Sequence, residues 1–60
     1  MKVMVHKPAI QPPEQIENVV SLETGSSGWL KIVYAVKGER PDKNKYFAFG
    51  QWKRLEVFHP

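Results

Sequence analysis

The stretch WLKIVYAV, residues 29–36, decides the fold of this 60-residue chain. Its β-branched and aromatic side chains favour an extended strand, and it carries no signal for the start or end of a helix. Alternation along a strand divides its side chains between two faces: Leu30, Ile32, Tyr34 and Val36 on one, and Trp29, Lys31, Val33 and Ala35 on the other. We predict that this is the strongest strand of the chain, with apolar side chains on both of its faces.

Shorter predicted strands lie on either side of this stretch, separated by turn signals. GSSG, residues 25–28, is a glycine-flanked connection between two apolar runs, which is typical of a β-hairpin. KGERPDKNK, residues 37–45, is rich in turn-forming residues and is predicted as a loop. Strands are predicted at KVMVH (2–6), NVVSLET (18–24), YFAF (46–49) and LEVFH (55–59).

The segment KPAIQPPEQIEN, residues 7–18, is predicted as a stiff connection in which Ile10 and Ile16 are anchored in the core. Pro13 can begin one helical turn through EQIE, because proline fits the first position of a helix and acidic residues suit its first turn. We therefore expect a single all-β domain, residues 1–60. It would form a small antiparallel β-meander or open barrel of four to five strands, with at most one short helical turn.

Composition narrows the classes of site that this chain can carry. The absence of cysteine excludes disulfide bonds and cysteine-based zinc sites. His6 and His59 are the two histidines, far apart in sequence, so we expect no metal site and no cofactor. No apolar run is long enough for a signal peptide or a membrane span, which predicts a soluble, cytoplasmic protein. No arrangement of residues indicates a catalytic site, and an enzyme is not expected.

Large apolar residues lie on both faces of several predicted strands, where a half-buried antiparallel sheet would separate apolar from polar residues. A chain of this length also forms only a marginal core. Three arrangements would cover both faces: the sheet closes on itself, the segment AIQPPEQI (residues 9–16) packs over one side, or another chain does. Because 60 residues can hardly provide two layers, we expect a second copy of the chain or another protein to cover part of the surface. The alternative is a monomer, because scattered exposed apolar residues are normal on folded proteins.

The C-terminal segment KYFAFGQWKRLEVFH, residues 45–59, combines aromatic and basic residues. The net charge of +3 comes entirely from residues 37–60, since residues 1–36 are neutral. Strand alternation assigns part of the segment to the core: Tyr46 or Phe47, with Phe49, Leu55 and Val57. A single-stranded nucleic acid is one candidate ligand, because exposed aromatic side chains stack on bases and cations contact phosphates. The residues of this candidate site are Lys45, Tyr46, Trp52, Lys53 and Arg54.

The pattern ENVVSLETGSSGWLKIVYAV followed by YFAFGQWKRLEVF resembles short β-meander proteins of phages and prophages of Gram-positive bacteria. The resemblance covers about residues 17–58. It implies a viral accessory protein that binds or inhibits a host factor, acting in the cytoplasm of the host cell. It carries over no site residues.

Our leading hypothesis is a non-enzymatic protein-binding module that self-associates or docks on a protein partner. Tryptophan and arginine are favoured anchors of protein interfaces. The predicted contact residues are Trp29, Val33, Trp52, Lys53, Arg54 and Phe58.

Overall fold

Six β-strands make up the described part of the chain, residues 1–59, in a computed structural model of the protein. The strands are β1 (Lys2–His6), β2 (Glu14–Ile16), β3 (Val19–Thr24), β4 (Leu30–Tyr34), β5 (Lys43–Phe47) and β6 (Arg54–Phe58). They form two antiparallel sheets of three strands each, and no helix occurs in residues 1–59. The first sheet has the order β2-β1-β6, and the second has the order β3-β4-β5.

The two central strands supply the fully buried side chains of the core. Val3 and Val5 come from β1, and Leu30 and Ile32 come from β4; none of the four has exposed surface. Alternation makes this possible, because residues two apart in a strand point to the same face. The two sheets therefore pack face to face through their middle strands. The rest of the buried cluster surrounds these four residues: Ile16, Val19 and Phe47.

The chain passes from the first sheet to the second at a sharp corner between β2 and β3. Asn18 has a φ of 57°, in the left-handed region that asparagine tolerates better than most residues. Its carbonyl oxygen accepts a hydrogen bond from the amide of Ala35 at 3.0 Å. The amide of Val19 donates to the carbonyl oxygen of Met1 at 2.8 Å. These bonds tie the corner to the residue before β1 and to the residue after β4. They therefore fix the place where the chain passes from one sheet to the other.

The sequence predictions of an all-β fold and of the GSSG hairpin are confirmed. Gly25 and Gly28 lie between β3 and β4, where the amide of Gly28 donates to the carbonyl oxygen of Gly25 at 2.9 Å. Gly28 has a φ of 89°, a left-handed conformation that glycine adopts without a steric penalty. The hairpin therefore depends on glycine at position 28.

Several details differ from the predictions. The segment expected to make a helical turn is strand β2, which pairs with β1 so that Val3 lies opposite Ile16. This short strand brings the number to six. Ile10 is fully exposed in the loop before it, and is not anchored in the core.

The strand predicted at residues 46–49 begins three residues earlier and ends two residues earlier, at Lys43–Phe47. The chain turns after Phe47, where Gly50 has a φ of 88° and the amide of Gln51 donates to the carbonyl oxygen of Ala48. Phe47 is consequently the core residue, whereas Phe49 is 81% exposed and its assignment to the core was wrong. The same assignment was wrong for Val57, which is 39% exposed near the end of an edge strand.

An ion-pair cluster links the two sheets beside the core. The carboxylate of Glu14 on β2 accepts a hydrogen bond from Lys45 on β5 and lies 3.1 Å from the Nζ of Lys7. The hydrogen bond from Lys45, assisted by Lys7 and opposed by partial burial, lowers the pKa of Glu14 below its usual value of 4.5. The same hydrogen bond raises the pKa of Lys45 above 10.5.

Ile32→Ala tests the packing of the central strands. A buried isoleucine replaced by alanine loses about 2–5 kcal/mol of unfolding free energy, which is most of the stability of so small a domain. Val33→Ala, on the opposite face of β4, is the control and should cost roughly 1 kcal/mol or less. Urea denaturation followed by circular dichroism measures both. An equal or larger loss for Val33→Ala would contradict this division of faces.

Glu14→Gln tests the link between the sheets. A lowered pKa in the folded state means that the Glu14 carboxylate adds stability above pH 4.5, and that this contribution is lost as the pH falls through the folded-state pKa. We expect Glu14→Gln to lower the unfolding free energy by roughly 0.5–1 kcal/mol at pH 7, because both lysines remain partly solvated. The difference from the wild type should shrink below pH 4.5. Glu17→Gln, at an exposed neighbouring position, is the control and should change the unfolding free energy at pH 7 by no more than about 0.5 kcal/mol.

Candidate binding surface

The outward side of the second sheet carries an aromatic pair. Trp29 and Tyr46 stack with their ring centroids 6.1 Å apart and their planes at 27°. Lys31 lies opposite Tyr46 in the strand register, and Val33 follows two residues later on the same side. We call the side formed by Trp29, Lys31, Val33 and Tyr46 the aromatic face. Its location is fixed by alternation, because Leu30, Ile32 and Phe47 between these residues point into the core.

The hairpin glycine at position 25 allows the indole of Trp29 to lie flat at the edge of the aromatic face. A Cβ atom added at Gly25 would be 2.0 Å from the Nε1 atom of Trp29. The indole therefore packs on the backbone of the turn on one side and on Tyr46 on the other. Two rigid contacts reduce the rotamer freedom of Trp29, which lowers the entropy that it would lose on binding a partner.

Tyr46 is the most accessible member of the aromatic face, with 62% of its surface exposed. It also borders a shallow hollow that Lys7, Pro8 and Gln11 line from the loop after β1. The aromatic face therefore continues into a depression at the edge of the second sheet. A stacked, accessible ring beside a depression is a typical anchor site for a protein partner.

The charges around the aromatic face are balanced. Glu23 on β3 lies opposite Lys31 on β4 in the register, and Ser21 and Asn44 flank Val33. Among the strand residues on this side of the sheet there is thus one cation and one anion, and Lys7, which lines the adjoining hollow, is paired with Glu14. A surface that binds a nucleic-acid strand needs an excess of cations along the path of the phosphates.

Lys45 and Tyr46, both predicted to contact a nucleic acid, point to opposite sides of β5. The Nζ of Lys45 reaches toward the first sheet and bonds Glu14, whereas Tyr46 lies on the aromatic face. The other predicted cations are also separated from the aromatic pair. Lys53 lies in the loop before β6, and Arg54 lies on the first sheet. The structure does not bring the predicted nucleic-acid residues together on one surface.

The six predicted protein-contact residues are also divided between surfaces. Trp29 and Val33 lie on the aromatic face, while Arg54 and Phe58 lie on the outward side of the first sheet. On that side the Nζ of Lys2 lies 5.1 Å from the centre of the Phe58 ring, a cation–π distance. Tyr46, absent from the protein-contact prediction, completes the aromatic face. Its stacking with Trp29 depends on the pairing of β4 with β5, which alternation within one strand does not reveal.

Trp52 has a structural position. Its indole Nε1 donates a hydrogen bond to the carbonyl oxygen of Gly28 at 2.9 Å, and its ring packs on the buried cluster. The loop before β6 is thereby tied to the GSSG hairpin. Phe49 contacts the same turn, since a Cβ atom at Gly28 would lie 2.5 Å from its ring. Trp52 is half-buried, as Trp29 is, but its indole N–H is already hydrogen-bonded within the chain.

The two histidines lie at opposite ends of the first sheet. β1 and β6 pair, but in an antiparallel register that puts His6 opposite Arg54 and Lys2 opposite Phe58, just before His59. The Nε2 of His6 lies 2.5 Å from Glu56 Oε1. No group of three or more His, Cys, Asp or Glu side chains that could hold a metal ion occurs within residues 1–59.

Trp52→Phe tests the structural role of this side chain. Loss of the partly buried hydrogen bond to Gly28 and of part of the ring should lower the unfolding free energy by roughly 1–2 kcal/mol. Trp29→Phe keeps an aromatic ring beside Tyr46 and is the matched control, with an expected loss below about 0.5 kcal/mol. Chemical denaturation of both variants gives the comparison. A larger loss for Trp29→Phe than for Trp52→Phe would contradict the structural role of Trp52.

No helix within the described residues is long and apolar enough to cross a membrane. Comparison of the chain with protein-family models, with curated proteins and with solved structures finds no match.

Proposed function

We propose that this chain is a non-enzymatic protein-binding module whose contact surface is the aromatic face. The observation that carries the proposal is the stacked pair of Trp29 and Tyr46, rigid and accessible on the outward side of a sheet. The core uses the opposite side of the same sheet, so the pair lies outside the buried cluster. Large aromatic side chains held in one conformation are frequent anchors of protein interfaces.

The surroundings of the pair favour a protein as the partner. Val33 extends the apolar area, and Glu23 and Lys31 offer one charge of each sign at its border. An apolar centre with a mixed polar rim is the usual anatomy of a protein–protein contact. The sequence resemblance to short phage proteins extends the proposal to a host factor as the partner, bound or inhibited in the cytoplasm of the host cell.

Binding of single-stranded nucleic acid is the second candidate. Its support is the exposure of Tyr46, whose ring is accessible for stacking on a base. The balanced charge near that ring and the engagement of Lys45 by Glu14 count against it.

Tyr46→Ala tests, in a capture experiment, whether the aromatic face is the contact surface. The wild type, Tyr46→Ala and Phe58→Ala are immobilised and exposed to a lysate of a Gram-positive bacterium, and the bound proteins are identified by mass spectrometry. Phe58 is the matched control, because it is an aromatic residue, 39% exposed, on the first sheet and away from the aromatic face. We expect Tyr46→Ala to weaken the partner's affinity roughly 30-fold, the effect of losing an interface anchor of about 2 kcal/mol. Phe58→Ala should bind as the wild type does.

A titration with single-stranded oligonucleotides distinguishes the second candidate. The proposal expects tryptophan fluorescence to remain unchanged at low salt. Quenching that weakens steeply as salt is added would instead support nucleic-acid binding.

Capture of the same partner by the wild type and by Tyr46→Ala with equal affinity would overturn the aromatic face as the contact surface.

A further inference from the structure

Four strands lie at the edges of the two sheets, and three of them have features that discourage pairing with another chain. β2 has only three residues and follows Pro12 and Pro13. β3 has an irregular register between Val19 and Ser21. β5 carries Lys43 and Lys45, and lysine on an edge strand discourages pairing with another chain. Short length, bulges, proline and lysine are the features by which proteins protect their sheet edges.

β6 is the edge strand that lacks this protection. Its five residues, RLEVF, pair in a regular register with β1 along one side. Within residues 1–59, no strand pairs with its other side. The C-terminal end of the strand remains partly uncovered, since Val57 and Phe58 are each 39% exposed.

The charges of β6 are complementary to themselves. Arg54 and Glu56 flank Leu55 on the outward side of the first sheet, with Arg54 Nη2 3.4 Å from Glu56 Oε1. In an antiparallel pair of two β6 strands centred on Leu55, each Arg54 lies opposite Glu56 of the other copy. Opposite charges in directly facing positions stabilise a strand pair, and like charges destabilise it. A register centred on Glu56 would instead place the two glutamates opposite each other.

We propose that a second copy of this chain pairs antiparallel along β6, centred on Leu55. The two first sheets then form one continuous six-stranded sheet around a two-fold axis. Because facing residues in this register have the same parity, the core sides of both sheets lie on the same side, with Leu55 facing Leu55. Such an interface is closed, since each copy presents the same strand.

The expected dimer is weak. In this register only residues 54–56 of the two β6 strands face each other, and Val57 lies opposite Lys53 of the other copy. So short a contact covers less area than the roughly 1,200–2,000 Å² of a stable interface, and we expect a Kd on the order of 100 μM. The aromatic face belongs to the second sheet and is not used in the pairing. The inference deepens the proposed function, because a dimer would carry two aromatic faces. Its test changes residues of β6 and leaves Trp29 and Tyr46 unchanged, so the two proposals can fail separately.

Two charge-reversal variants test the pairing by sedimentation equilibrium at concentrations up to about 1 mM, which spans the expected Kd. Arg54→Glu places two glutamates opposite each other on each side of the axis, and Glu56→Arg does the same with arginines. Each variant alone should dimerise at least roughly 10-fold more weakly than the wild type. An equimolar mixture of the two should dimerise about as well as the wild type, because every facing pair is then of opposite charge.

The mixture distinguishes pairing between two copies from the contact between Arg54 and Glu56 within one copy. Each variant keeps its own like-charged neighbours when the two are mixed, so a purely internal role predicts no recovery. The double variant carrying both Arg54→Glu and Glu56→Arg is a second check and should dimerise as the wild type does. Circular dichroism establishes that each variant is folded. A monomeric wild type at about 1 mM, or a mixture that stays monomeric, would overturn the inference.

Discussion

The packing of β1 against β4 is the contact on which the rest of the molecule depends. Each is the middle strand of its sheet, and together they supply the four side chains with no exposed surface. With only 60 residues, the core is small, and little surrounding core remains to compensate for a gap between these two strands. Every edge strand is hydrogen-bonded to one of these two strands. The packing of β1 against β4 therefore also fixes the positions of the aromatic face and of the free edge of β6.

Local sequence signals predicted the parts of the fold in which neighbouring residues decide the structure. Alternation identified β1, β3 and β4, and the glycines of GSSG identified the hairpin. The failures occurred where a distant strand decides. EQI is a strand because β1 offers it a partner, although Pro13 before it suits a helix start. KNK is a strand despite its polarity because β4 pairs with it and Glu14 neutralises Lys45.

The same limit explains the candidate site. Alternation within WLKIVYAV correctly put Trp29 and Val33 on one side of β4, opposite Leu30 and Ile32. It contained no information on which sheet β6 would join, so Arg54 and Phe58 were grouped with residues that lie on another surface. Trp52 was assigned to the surface because alternation fails after Gly50. Its hydrogen bond to Gly28 depends on a turn 24 positions earlier in the chain.

The pairing of β1 with β6 places the two ends of the described chain side by side. Lys2 lies opposite Phe58, so a polypeptide entering before β1 and leaving after β6 would do so at neighbouring points. A domain with adjacent ends can be inserted into a loop of another protein without stretching that loop. It can also be circularly permuted, with the ends before β1 and after β6 joined and new ones opened between Gly38 and Pro41, where the connection is exposed. The fold is thus suited to transfer as a unit between different protein contexts.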